Sequence, residues 1–191
     1  MLDCRKPRAG SGARFSSMKR TAIAYWLIPA EPARTFFVKV IGDLARRYNA
    51  PIFEPHATIH VDSDRADAEE VIAKALRCCG PIEVKVLDVC HTGEFTKTLF
   101  VQLALNKQLQ RLNRIIRGAA QNSSSYQLDP HMSLLYKKMS IVSRQELARS
   151  IRLLFSEITF DSIKAVRCAS PTRNRADVEA WRVVAAKSLP E

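Results

Sequence analysis

The sequence is poor in the features that mark membrane, zinc-finger and disulfide-stabilised proteins. It contains no apolar run of the roughly 18–20 residues that a membrane-spanning helix needs. Its five cysteines are odd in number and form no Cys-x-x-Cys pair, which argues against a disulfide framework and a zinc finger. Aromatic residues make up only 7% of the chain, few for a long nucleic-acid track with stacking side chains. These absences predict a cytoplasmic globular protein with reduced thiols and no membrane partner.

The net charge of +11 is unevenly distributed along the chain. The first 20 residues hold six Lys and Arg against one acid, and therefore contribute +5 of it. Residues 1–17 are also rich in Gly and Ser and show no apolar period, which predicts a disordered basic tail followed by a single domain over 18–191. The remaining positive charge suits an enzyme whose ligand is a phosphate.

Short apolar runs alternate with helical patterns along the rest of the chain. The patterns predict strands over 22–28, 57–61, 82–89, 98–105, 132–136, 158–166 and 181–185. They predict helices over 34–48, 68–79 and 105–119 and a fourth helix that a capping box, Ser143-Arg-Gln-Glu146, would open and that would run through Leu154. Short strands separated by helices indicate an α/β or α+β fold.

A degenerate repeat lies within this pattern. The segments Phe53–Val61 and Leu128–Tyr136 both read apolar, acidic, Pro, His, any residue, hydroxyl, aliphatic, and their copies lie 75 residues apart. Each copy follows a predicted strand and helix and precedes another helix and strand. The repeat therefore predicts two similar lobes that each contribute one copy of the motif.

Each motif presents one imidazole and one hydroxyl. Side chains alternate between the faces of a strand, so His56 shares a face with Thr58, and His131 shares one with Ser133. If the lobes face each other, one neutral imidazole can accept a proton from water while one imidazolium protonates a departing alkoxide. The two hydroxyls can donate hydrogen bonds to the non-bridging oxygens of a phosphate ester. This chemistry formally needs no metal and no cofactor.

The two motifs resemble those of the 2H phosphoesterases. Within that superfamily, the segments Phe53–Thr58 and Pro130–Tyr136 are most similar to the cyclic phosphodiesterases of plants and yeast and their bacterial relatives, and Tyr25–Pro29 and His91–Gly93 also resemble segments of that family. The resemblance implies an α+β, bilobal fold of two pseudo-symmetric lobes of antiparallel sheet, with outer helices around a central cleft. It implies hydrolysis of nucleoside 2′,3′-cyclic phosphates or ADP-ribose 1″,2″-cyclic phosphate by a monomer.

The resemblance also implies roles for individual residues. His56 and His131 would be the acid and base, in either order, and Thr58 and Ser133 would bind the phosphate. Tyr136 and Trp26 would lie beside the substrate, although the residues alone favour an amphipathic edge position for Tyr136 and a core position for Trp26. The family's paired cysteines are not reproduced here, which argues against redox control.

Other polar residues have plainer interpretations. His60 is predicted to share the face of His56 about 13 Å further along the strand, as a rim residue or a structural one. We expect His91 in a surface turn. Arg173 and Arg175 could attract a phosphate, but a solvated loop is the plainer interpretation of both. Glu54 and Asp129 either orient the imidazoles or only shape the turns before the prolines.

Two alternative functions stay open at this level. One is processing of RNA ends by an enzyme that resembles the 2′-5′ RNA ligase branch of the superfamily. The other is a non-catalytic module that binds a nucleotide or RNA. Two intact histidines favour an enzyme, because binding alone would not need both.

Overall fold

A computed structural model describes residues 20–64, 67–120 and 125–190 of the chain. In these ranges the strands are β1 (Arg20–Pro29), β2 (Ala57–Ser63), β3 (Ile82–His91), β4 (Leu99–Leu103), β5 (His131–Leu135), β6 (Glu157–Ser170) and β7 (Arg182–Ser188). The helices are α1 (Ala33–Tyr48), α2 (Ala68–Leu76), α3 (Lys107–Ala119), α4 (Ile141–Ser150) and α5 (Arg175–Glu179), with a 3-10 turn at Phe95–Lys97. No helix in the described ranges is long and apolar enough to cross a membrane. The tail predicted over 1–17 lies outside the described residues.

The strands form one antiparallel sheet that divides into two lobes. Their order is β1-β2-β5-β4-β3-β6-β7, and β1 also pairs with β6. One lobe contains β1, β2, β6 and β7, and the other contains β3, β4 and β5. The lobes are joined where β2 meets β5 and where β3 meets β6. The predicted α+β, bilobal architecture is confirmed.

The internal repeat becomes a twofold pseudo-symmetry of this sheet. Each half of the chain runs β-α-β-α-β, from β1 to β3 and from β4 to β6. The last strand of each half crosses to the other half, so β3 pairs with β4 and β6 pairs with β1. Ala57 pairs with Met132, its own counterpart 75 positions later. The pairing of β3 with β6 has the same symmetry. A shift of 75 positions turns each residue pair of these two strands into another of their pairs, with the roles of the strands exchanged.

Strand β1 separates the main core from the cleft side of the sheet. Its side chains alternate between two hydrophobic clusters, with Ile23, Tyr25 and Leu27 in the main core and Ala24, Trp26 and Ile28 on the other face. Both faces are covered, which explains why the strand is an unbroken apolar run in the sequence. The alternation directs Trp26 to the face on which the two motifs lie.

The observed helix boundaries differ from two of the predictions. Polar side chains cap four helices by accepting hydrogen bonds from first-turn N–H groups, and they belong to Asp67, Asn106, Ser140 and Asn174. The capping box predicted at Ser143 is wrong, because Ser140 Oγ accepts from the Ser143 N–H at 3.1 Å. Helix α4 also ends at Ser150, short of the predicted Leu154. Helix α5, which Asn174 caps, had no predicted counterpart, and it places Arg175 at the start of a helix and not in a loop.

Candidate active site

The two motifs meet where β2 pairs with β5. Ala57 and Met132 lie opposite each other and are buried in the main core. Their sequence neighbours therefore point to the other face of the sheet. There, one cavity of about 270 Å³ is lined by His56, Thr58, His131 and Ser133. Because the pairing is antiparallel, its register sets the histidine of each motif beside the hydroxyl residue of the other.

Both imidazoles are oriented in the same way. Nδ1 of His56 lies 2.6 Å from the carbonyl oxygen of Glu54, and Nδ1 of His131 lies 2.7 Å from that of Asp129. A carbonyl oxygen only accepts hydrogen bonds, so each Nδ1 must carry the proton. Each Nε2 is therefore the nitrogen that can exchange a proton with a ligand.

Basic side chains hold the two acidic residues of the motifs. The Glu54 carboxylate accepts hydrogen bonds from Lys164 at 2.7 Å and from Arg34 at 2.8 Å. The Asp129 carboxylate is paired with Lys97 and also accepts from a neighbouring glutamine. Of the two interpretations of these acids, orientation of the imidazoles is correct, but it acts through their main-chain carbonyls.

The surroundings of the two histidines lower both pKa values. The ring of Trp26 stacks on His56 with the centroids 3.7 Å apart, and Trp181 meets the same imidazole edge-on at 5.9 Å. Burial lowers the pKa of His56 to about 4, against the opposing effect of the Glu54 carbonyl. Burial is also the main cause that lowers the pKa of His131, and the nearby Lys97 ammonium adds to it.

The two hydroxyls are not equally free. Ser133 Oγ donates to the carbonyl oxygen of Thr96 at 2.8 Å and is hydrogen-bonded to the Tyr136 hydroxyl. Tyr136 is itself buried and stacks on Phe53 with the ring centroids 4.0 Å apart. The Thr58 hydroxyl, in contrast, has no hydrogen-bond partner within the described ranges. The structure therefore presents one free hydroxyl donor and one that already holds the cavity wall together.

Comparison with known proteins identifies the family. Residues 21–189 match the family model described as cyclic phosphodiesterase-like protein. The chain belongs to this 2H phosphoesterase family. The chain is 23% identical to the cyclic phosphodiesterase of Arabidopsis thaliana over 181 residues, which cover 92% of the chain and 99% of the relative.

Several solved structures share the fold of this chain. Escherichia coli LigT in its apo form aligns with a TM-score of 0.55 and 13% identity, covering 91% of this chain and 98% of LigT. LigT complexed with 3′-AMP also aligns at 0.55, with 12% identity, and the match covers 91% of this chain and 100% of LigT. A phosphoesterase structure aligns at 0.53, with 13% identity and coverage of 90% and 99%. At these identities the likeness shows the fold alone.

All six site residues predicted from the sequence line the same cavity. Trp26 and Tyr136 join the two histidines and two hydroxyl residues in its wall. Sequence reasoning missed other wall residues: Thr96, Tyr126, Cys168 and Trp181. Trp181 is the second of only two tryptophans in the chain, and that rarity is the only sequence signal it carried. Its indole N–H is buried with no hydrogen-bond partner among the described residues.

The prediction that His60 shares a face with His56 is wrong. The register between β1 and β2 shifts at this point, because Tyr25 pairs with His60 whereas the next residue, Trp26, pairs with Thr58. The extra residue, Ile59, forms a β-bulge that reverses the alternation of faces. Beyond the bulge Val61 lines the cavity, and His60 is completely buried on the opposite side.

Proposed function

We propose that the protein hydrolyses small cyclic phosphates, namely nucleoside 2′,3′-cyclic phosphates or ADP-ribose 1″,2″-cyclic phosphate. One observation carries this proposal: two imidazoles in one cavity are both anchored through Nδ1 and so both offer Nε2. Proton transfer at two points is what the opening of a cyclic phosphate requires. The relative from Arabidopsis thaliana, a cyclic phosphodiesterase, supports the same reaction type.

In the proposed reaction the two histidines exchange one proton each with the reactants. Nε2 of one neutral imidazole takes a proton from water as the water oxygen forms a bond to phosphorus. The bond from phosphorus to one ribose oxygen breaks, and the Nε2–H of the other, protonated imidazole passes its proton to that oxygen. The products are a phosphomonoester and a free ribose hydroxyl. Transfer of one proton between the histidines through solvent restores the starting state.

The cavity wall supplies stabilisation for the charge that develops on the phosphate. Thr58 donates to one non-bridging oxygen, since its hydroxyl has no competing partner among the described residues. Ser133 donates to another after turning away from the Thr96 carbonyl. Trp26 fixes the plane of His56 by stacking on it. These roles use the protein's own side chains and route no step through a metal.

Hydrolysis of a nucleoside 2′,3′-cyclic phosphate in the presence of a chelator tests this function. We expect turnover, and phosphorus NMR of the product identifies which phosphomonoester forms. A rate that the chelator abolishes and a divalent ion restores would contradict the metal-independent mechanism. Binding of the cyclic nucleotide without turnover would instead support the non-catalytic module.

A further inference from the structure

A second groove adjoins the active-site cavity along Tyr136, which lines both. Two chain segments continue from the cavity wall into the groove wall. Thr96 lines the cavity and its neighbour Phe95 lines the groove; likewise Thr172 lines the cavity and Arg173 the groove. The groove therefore lies directly beside the cavity and shares part of its wall.

The wall of this groove is strongly basic. Four of its side chains are cationic, and we call them the basic groove: Lys137, Lys138, Arg173 and Arg175. No acidic residue of the described chain lines it. Four cations around one depression produce a positive potential that attracts an anion.

Two of the four cations are held in place by other residues, and two are not. Arg175 donates to Asn49 Oδ1 at 2.8 Å and forms an ion pair with Glu179 at 3.3 Å. Lys137 Nζ lies 3.5 Å from the main-chain oxygen of Asn49. The side chains of Lys138 and Arg173 are exposed and have no ion-pair or hydrogen-bond partner within the described ranges. Their charges are thus available to a ligand.

The chemistry of these side chains suits a phosphate. A guanidinium can donate two parallel hydrogen bonds to a phosphate, and an ammonium adds a compact point charge. A cyclic phosphate bound between His56 and His131 is not in this groove, because neither histidine lines it. The groove therefore fits an additional phosphate of the same substrate.

We propose that the basic groove is a second anion subsite, which binds a phosphate that the substrate carries in addition to its cyclic phosphate. This inference rests on the proposed function and deepens it. The additional phosphate belongs either to a pyrophosphate, as in ADP-ribose 1″,2″-cyclic phosphate, or to the phosphodiester of an RNA end. A nucleoside 2′,3′-cyclic phosphate with no other phosphate leaves the groove empty.

Steady-state kinetics with three substrates tests the subsite. The substrates are a nucleoside 2′,3′-cyclic phosphate, ADP-ribose 1″,2″-cyclic phosphate, and a dinucleotide that ends in a 2′,3′-cyclic phosphate. The double variant Lys138→Ala/Arg173→Ala should raise KM about tenfold for at least one substrate with the additional phosphate, the effect of losing hydrogen bonds to a charged group. KM for the nucleoside substrate should change less than twofold.

A matched control removes the same charge elsewhere. Lys107→Ala/Arg114→Ala lies on the exposed side of α3 and also lowers the net charge by two. A rise in KM confined to ADP-ribose 1″,2″-cyclic phosphate identifies a pyrophosphate subsite, and one confined to the dinucleotide identifies an RNA end. Equal effects of the two double variants, or equal effects on all three substrates, would overturn the proposal.

A binding measurement separates this inference from the proposed function. ADP-ribose and a dinucleotide that ends in a 3′-phosphate, each titrated calorimetrically into the protein and into Lys138→Ala/Arg173→Ala, need no turnover. If no cyclic phosphate is hydrolysed but the double variant binds either ligand about tenfold more weakly, the activity is wrong and the subsite stands. Unchanged affinity for both ligands would refute the subsite whatever the outcome for catalysis.

Discussion

His56 and His131 occupy equivalent places in the repeat but have different surroundings. His56 is 5% exposed and contacts two tryptophans. His131 is less buried, and Phe100 meets it edge-on at 5.4 Å. In both, Nδ1 is anchored to a main-chain carbonyl and Nε2 is the nitrogen left to exchange a proton with a ligand. The proposed chemistry uses both.

Replacing either histidine should remove one of the two proton transfers. We expect His56→Ala and His131→Ala each to lower kcat for a nucleoside 2′,3′-cyclic phosphate by about 10²–10⁴-fold, the usual contribution of one acid or base. His91→Ala is the matched control, because His91 lies at the end of β3 and should leave kcat unchanged. A folded His56 or His131 variant with the wild-type rate would contradict the two-histidine mechanism.

The two hydroxyl residues should be distinguishable by stability as well as by rate. Thr58→Val and Ser133→Ala should each lower kcat by about 10–10³-fold, less than loss of a histidine, by analogy with other donors to developing oxyanions. Ser133→Ala should also lower the free energy of unfolding by about 1 kcal/mol, because it breaks the hydrogen bond to Thr96. Thr58→Val breaks no such bond. Urea denaturation compares the two; equal stability losses would show that the Ser133 bond is not made in solution.

The start of α4 provides a prediction at the scale of one element. Ser140 accepts the hydrogen bond from the first turn, so Ser140→Ala should lower the free energy of unfolding by about 1 kcal/mol, the typical value of an N-cap. Ser143→Ala is the comparison, since alanine keeps the main-chain N–H that Ser140 caps and loses only the hydroxyl contact with Ser140 Oγ at 2.9 Å, so its stability loss should be smaller. The comparison is a pair of denaturant melts. If Ser143→Ala lowered the free energy of unfolding more than Ser140→Ala does, the helix cap would be Ser143, as predicted from the sequence.

Strand β2 shows how one residue in an element redirects the side chains beyond it. The residues before the bulge at Ile59 follow the simple alternation, so His56 and Thr58 reach the cavity as predicted. The residues after it do not, because the extra residue exchanges the two faces. Of the two roles predicted for His60, rim residue or structural residue, the burial of its side chain fits the structural one.

At the scale of the whole molecule, the proposed catalysis depends on the joint titration of two histidines, one from each lobe. Activity needs one imidazole neutral and the other protonated in the same molecule. Burial lowers the pKa of His56 to about 4 and lowers that of His131 from its usual 6.5. Activity is lost below the lower pKa, where both are protonated, and above the higher one, where both are neutral. We therefore expect kcat/KM, measured in the presence of a chelator, to depend on pH as a bell with its maximum below pH 6.5. The two limbs give the pKa values of the coupled histidine pair and not of either residue alone.

Exposure of His56 is the control for this profile. Trp26→Leu removes the ring that covers the imidazole, so the pKa of His56 should rise toward 6.5 and the acid limb should move to higher pH. Circular dichroism establishes that the variant is folded. A maximum at or above pH 6.5 in the wild-type protein, or an acid limb that does not move in a folded variant, would show that burial does not set the profile.

Local patterns in the sequence were sufficient for the two motifs and for most elements. A histidine and a hydroxyl two residues apart on a strand share a face whatever the rest of the chain does, because that alternation is local geometry. The 75-residue repeat by itself implies two lobes, since similar sequences fold into similar units. The facing of the two motifs and four of the cavity residues, the two histidines and the two hydroxyl residues, follow from these two facts. Trp26 and Tyr136 were predicted only from the resemblance to the family.

Only the tertiary structure decided what surrounds the motifs. Trp181 lies 125 positions from His56 and reaches it because α5 and β7 return the chain to the cleft, which no local pattern encodes. The basic groove combines Lys137 and Lys138, which follow β5, with Arg173 and Arg175 near α5, and two of these had looked like parts of a solvated loop. The bulge in β2 depends on its pairing with β1. These features arise from contacts between residues far apart in the chain, whereas the motifs arise from neighbours.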